Sequence, residues 1–159
     1  MKMDDFTEQA QDVLSASQGL VGEFHHSQWD VEHLLLALLE VDNGVPVQII
    51  SELGVDLEAV KADVRKILET APKINNQATQ IFATPRSTRA LEAAKDESER
   101  LRDDFIGAEH LLIAITADEQ DPAARLLKDH SIDKERIYQA LQQIRGSHRV
   151  NDPRAESHY

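Results

Sequence analysis

The side chains best equipped for chemistry come in two matched pairs, Glu32-His33 and Glu109-His110, each at the head of an apolar run. A carboxylate beside an imidazole suits general acid–base work or metal ligation. Neither use has its remaining parts. There is no His-Glu-x-x-His, no histidine pair at i, i+4 to grip an ion from one helix face, and the adjacent His25 and His26 point to different sides of any helix. The absence of cysteine removes thiolate zinc sites, disulfides and a thiol nucleophile. No G-x-S-x-G elbow and no G-x-x-x-x-G-K-[ST] phosphate loop occurs, so the sequence offers neither serine-hydrolase nor nucleotide chemistry. Glu32 and Glu109 then read as first-turn carboxylates favoured by the helix dipole, worth ~0.3–1 kcal/mol each. His33 and His110 read as helix-start side chains bonding to backbone or to the neighbouring half. The expectation is a chain with no catalytic residue, no metal and no cofactor of its own.

The elements that carry these pairs are duplicated. Asp30-Val31-Glu32-His33-Leu34-Leu35-Leu36-Ala37-Leu38 recurs as Gly107-Ala108-Glu109-His110-Leu111-Leu112-Ile113-Ala114-Ile115, 77 residues on. The same offset pairs Thr7 with Thr84, Leu14 with Leu91, Asp56 with Asp133 and Ile67 with Ile144. A register held without a gap over roughly 60 residues marks a repeated structural unit. Each unit reads as four helices. Asp4, Asp5 or Thr7 caps the first, Asp30 the second, Pro46 opens the third, and Asp56 caps the fourth. In the second unit the starts are Thr84-Pro85, Gly107, Asp121-Pro122 and Asp133. The run Leu34 to Leu39 is apolar on nearly every side and predicts a central core helix. Trp29 precedes the Asp30 cap where a hydrophobic staple sits, and Ile106 takes that place in the second unit.

The sequence therefore predicts an all-α fold of two four-helix repeats related by a pseudo-twofold and packed as one domain over residues 1–146. Repeat one spans about 4–70 and repeat two about 84–146. The polar stretch 71–83 joins them, and residues 147–159, with Pro153 and no core-forming period, read as a mobile linker. With 159 residues, 41% hydrophobic and 4% aromatic, the core must be built from Leu, Ile, Val and Ala. A net charge of −12 argues against nucleic acid as partner. No stretch approaches the ~18 apolar residues of a membrane span. Met1 to Asp5 lacks the apolar run of a signal peptide, so the expected location is cytoplasmic.

Two Glu-His-Leu-Leu helix starts, with Phe6-Thr7 and Thr84-Pro85-Arg86 ahead of them, resemble the N-terminal domain of the Clp family of AAA+ unfoldases. Within that family, Met3-Asp4-Asp5-Phe6-Thr7, Asp103-Asp104-Phe105-Ile106 and the segment Arg145-Gly146-Ser147-His148-Arg149-Val150-Asn151-Asp152 are similar to ClpB-type disaggregases. The resemblance implies a non-catalytic domain that recruits unfolded or aggregated polypeptide for threading by the ATP- and Mg-dependent ring of a longer parent, in concert with the Hsp70 system. The ring makes the hexamer, so this chain alone is expected to be a monomer. An adaptor-docking domain of the ClpC or ClpA type, and a stand-alone Clp N-domain adaptor, are the alternatives.

Carried over residue by residue, the resemblance puts Thr7, Asp103 and Glu109 in substrate handling, as a polar, acidic rim beside an apolar groove. A receptor for unfolded chain needs such a groove. The duplication suggests that exposed apolar residues of the first and fifth helices line it, with Val13, Leu14, Ala90 and Leu91 as candidates. Helical spacing suits core positions equally well, and matched pairs such as Leu14 and Leu91 fit that reading too.

Overall fold

Most helices start at a side chain that captures an orphan backbone amide. The Thr7 hydroxyl accepts from the Ala10 amide (3.1 Å), Asp30 from Val31 (2.8 Å), Asp121 from Ala123 (2.9 Å) and Asp133 from Arg136 (2.9 Å). In the computed structural model, which describes residues 1–159 apart from Gln77 and Thr79, these starts open α1 (Glu8–Glu23), α2 (Val31–Glu40), α7 (Pro122–Asp129) and α8 (Lys134–Arg145). Between them lie β1 (Gln28–Trp29), α3 (Val45–Glu52), α4 (Leu57–Thr70), β2 (Phe82–Ala83), α5 (Pro85–Arg100) and α6 (Ala108–Ala117). Apart from the two-residue strands the described fold is all-α. The bounds of α1, α2 and α3 recur in α5, α6 and α7 at the 77-residue offset seen in the sequence.

Two helices form the centre. Every residue from Val31 to Leu39 in α2, and from Ala108 to Thr116 in α6, is buried. Helices α2 and α6 touch each other, and their partners reach across the halves: α3 lies on α8 and α4 on α7. Leu34, Leu35, Leu36, Leu111, Leu112 and Ile113 are fully enclosed, each worth about 1.5–3 kcal/mol of burial. Among the described residues no single helix is long and apolar enough to cross a membrane.

Backbone pairing also crosses between the halves. Trp29 of β1 lies opposite Ala83 of β2 in a parallel pair, and Phe6 bridges to Ile106. Trp29 sits at the staple position and is buried, its indole N–H donating to the Ser17 hydroxyl (2.8 Å). The polar joining stretch is anchored at Ile74, whose amide donates to the His25 carbonyl (2.8 Å). Its residues Gln77 and Thr79 lie outside the described residues.

The C-terminal segment departs from the mobile linker predicted for it. Val150 and Ala155 are buried, residues Ala155–His158 form a 3-10 turn, and the segment lies against the starts of α1 and α6. The Glu8 amide donates to the Pro153 carbonyl (2.8 Å) and the Asp104 amide to that of Val150 (2.8 Å). Polar anchoring of this kind leaves no hydrophobic period to be read.

Candidate functional site

An open cavity of about 390 Å³ lies between α1 and α5. Leu14 from α1 and Leu91 from α5 face it, with Met1, Met3 and Ile81 around the mouth and Phe6 and Trp29 among its walls. Met1, Met3 and Ile81 are 54%, 51% and 42% exposed, and Phe82, next to Ile81, is 59% exposed. These are the exposed large hydrophobics among the described residues. Apolar side chains gathered in water at one place cost free energy unless something covers them, which is the usual mark of a binding surface. The four groove candidates separate accordingly. Leu14 and Leu91 meet at the cavity. Val13 is fully enclosed in the core, one helical position round from Leu14. Ala90 faces a different depression, between α5 and α6, which it shares with Arg86, Arg89 and Asp121.

The trio Thr7, Asp103 and Glu109 is brought together, but as a buried network and not as a rim: Thr7 and Glu109 are fully enclosed and Asp103 nearly so. Asp103 accepts from both Arg145 Nη atoms (3.1 and 2.7 Å), the Val150 amide (2.9 Å) and His110 Nε2 (2.7 Å). His110 Nδ1 accepts from the Gly107 amide (2.7 Å), so its proton sits on Nε2 and points at Asp103. Burial alone would raise the Asp103 carboxyl, but the bonds from His110, Arg145 and Val150 outweigh it and hold it at about 2. Glu109 accepts from the Tyr159 hydroxyl (2.6 Å) and lies 3.7 Å from Arg145. Thr7 donates its hydroxyl to Glu156 Oε2 (2.8 Å), which also accepts from the Ala108 amide (3.0 Å). The cover that turns a rim into an interior is the 150–159 segment.

The first half answers each of these groups differently. Asp30 caps α2 with its own carboxylate and accepts from the Thr84 hydroxyl (2.8 Å) and from Arg86 (2.9 Å). Arg86 also forks onto Glu32 (3.0 and 2.8 Å) and Asp121 (2.8 and 2.7 Å). Glu32 is therefore an ion-pair partner as well as a first-turn carboxylate. In place of the Asp103–His110 pair stand His26 and His33, nitrogen to nitrogen at 2.8 Å. Burial, then His26, lowers His33 to about 4, so both rings are neutral at pH 7. Arg86, Arg145, Glu156 and Tyr159 escaped the sequence reading. Arg86 stands in the Thr84-Pro85-Arg86 run and Arg145 opens the segment 145–152, but nothing local links Arg145, Glu156 or Tyr159 to the trio. Among the described residues no group of three or more acidic, His or Cys side chains is arranged for a metal ion, and no Ser or Thr hydroxyl bonds a histidine.

Apart from its two short strands the described body is all-helical, with an apolar cleft between α1 and α5. A model of the Clp repeat (R) N-terminal domain matches residues 5–130, and the chain belongs to that family. It is 32% identical, over its whole length, to chaperone protein ClpB of Bacillus anthracis, and 33% identical over 98% of its length to chaperone protein ClpB 1 of Parasynechococcus marenigrum. It spans about a fifth of the length of these curated relatives (19% and 18%). Among solved structures, the Hsp104 N-terminal domain from Candida albicans superposes with a TM-score of 0.83 at 19% identity, covering 96% of this chain and 99% of that one. The N-domain of ClpV in complex with a VipB peptide superposes with a TM-score of 0.70 at 16% identity, covering 89% and 88%.

Proposed function

We propose that this domain recruits unfolded polypeptide through the α1–α5 cleft and presents it to the ATPase ring of a ClpB-type parent. One observation carries the reading: Met1, Met3 and Ile81 are exposed around a single cleft lined by Leu14 and Leu91, and Phe82, next to Ile81 in the chain, is exposed as well. Such a surface suits short apolar stretches of non-native chain. Lys2 and Gln18 are the polar side chains in its described lining, too few to make it selective, so binding is weak and general. ATP, Mg and the Hsp70 partnership belong to the parent, the cytoplasm is its compartment, and this chain is a monomer.

The test is an NMR titration of the labelled chain with a reduced, carboxymethylated protein that cannot refold, against its native form. Shifts at Leu14, Ile81 and Leu91 seen only with the unfolded ligand, and lost in an Ile81→Ser/Phe82→Ser variant, are expected. Shifts spread evenly over the surface would defeat the reading. No response to unfolded chain, together with saturable binding of a folded adaptor, would move it to adaptor docking.

A further inference from the structure

The two central helices are capped by carboxylates of opposite character. At α2, Asp30 takes the Val31 amide and the Thr84 hydroxyl, and Arg86 offsets its charge at 2.9 Å. At α6, the matching position is Gly107, and Glu156 arrives from the C-terminal segment to take the Ala108 amide and the Thr7 hydroxyl. A Cβ on Gly107 would lie 2.5 Å from Glu109 Oε1 and 3.1 Å from Glu156 Oε2, so both carboxyl groups crowd the space that glycine leaves. Among the described residues neither Glu109 Oε1 nor Glu156 Oε1 finds a hydrogen-bond partner, and both are buried. The cap of α2 is thus neutralised by a cation, while the cap of α6 is pressed against an anion.

We propose that residues 150–159 form a releasable strap whose docking is governed by the charge of the Glu109–Glu156 pair: with one proton on the pair it stays down over Thr7, Asp103 and Glu109, and with both carboxyls ionised it lifts. The groups beside Glu156 are Thr7 at the start of α1, Glu109 and the Ala108 amide of α6, and Tyr159 of the strap; around them Arg145 of α8 reaches Asp103 and Glu109, Arg154 pairs with Glu8, and His158 stands near Asp152. Arg145 is engaged by Asp103 at 2.7 Å and stands 3.7 Å from Glu109, so it leaves the pair only partly compensated. Burial, then the nearby Glu109, raises the Glu156 carboxyl to about 7 against the pull of the Ala108 amide and the Thr7 hydroxyl. A carboxyl raised in the docked state binds its proton there more tightly than in the free state. Docking is therefore strongest in acid and weakens as pH climbs through the docked value. From 4.5 free to about 7 docked, docking falls ~30-fold between pH 5.5 and 8.5.

Hydrogen exchange reads this opening without any substrate, so its outcome is separate from that of the cleft. The Glu8 and Ala108 amides are first-turn amides bonded to Pro153 and Glu156 of the strap. Their protection factors, corrected for base catalysis, are expected to drop about 30-fold from pH 5.5 to 8.5 in the 159-residue chain. They should stay level in Glu156→Gln, which keeps an acceptor for both donors. A His148→Asn/His158→Asn variant must retain the drop, since the imidazoles of the strap and of the turn before it would otherwise account for it. Protection constant within threefold in the unaltered chain, or an equal drop in Glu156→Gln, overturns the proposal. If Glu156→Gln loses the protection at every pH, Glu109→Gln decides. A drop clearly smaller than in the unaltered chain supports the pair as the control, and an undiminished one refutes it.

Discussion

Replacing Asp103 by Ala removes the acceptor of four bonds from three buried partners, Arg145, His110 and the Val150 amide. Arg145 is left with Glu109 at 3.7 Å and the His148 carbonyl at 3.1 Å, while its side chain is only 9% exposed. Breaking one side of a buried ion pair costs about 3–5 kcal/mol, because the remaining charge keeps its desolvation and loses its partner. Of that, ~2 kcal/mol should also be removable by acid. The Asp103 carboxyl is held down from 3.8 to about 2, so its contribution is complete above 3.8 and lost as pH falls toward 2. Urea unfolding followed by Trp29 fluorescence at pH 7 is expected to show the full loss for Asp103→Ala. Pairing it with Arg145→Leu, the double variant should lose at least 1 kcal/mol less than the sum of the singles, the signature of a direct contact. A loss below ~1 kcal/mol, or strict additivity, would refute the account of this network as a tightly coupled charge cluster.

Ser17→Ala strands the buried Trp29 indole N–H, with an expected loss of about 1–2 kcal/mol in the same urea assay and a shift in Trp29 emission. His33, neutral in the fold down to about 4, must gain a proton on unfolding below its ordinary 6.5. Stability should therefore fall by up to ~3 kcal/mol as pH drops from 6.5 to 4, seen as falling urea midpoints and diminished in His33→Asn. Gly107→Ala places a methyl between the two carboxyls and should lower the exchange protection of the Ala108 amide about tenfold. Leu36→Ala, in the fully enclosed face of α2, should cost about 2–5 kcal/mol by calorimetry or urea.

The helices were legible because their signals are local. Asp30, Asp56, Thr84-Pro85, Asp121-Pro122 and Asp133 each stand within three residues of the amides they serve. The α6 cap was not, because Gly107 is a blank and the carboxylate that fills it comes from Glu156, far along the chain. The same reason hid the packing of 150–159, where Val150 and Ala155 supply a few apolar contacts and the rest is polar fit. In the site, helical spacing found both Val13 and Leu14 but could not tell a core position from its neighbour facing the cleft. The trio was named by resemblance, and its burial followed from the strap that the sequence had left outside the fold.

The crossed pairing of Trp29 with Ala83 and of Phe6 with Ile106 has a topological meaning. At the 77-residue offset the two pairings map onto each other, and each joins the approach to a central helix in one half with the approach to the first helix of the other. Neither half holds its own clasp. Cutting the chain in the joining stretch would give two pieces, each presenting an open clasp that only the other closes. The arrangement that makes this chain a single body leaves either half incomplete on its own.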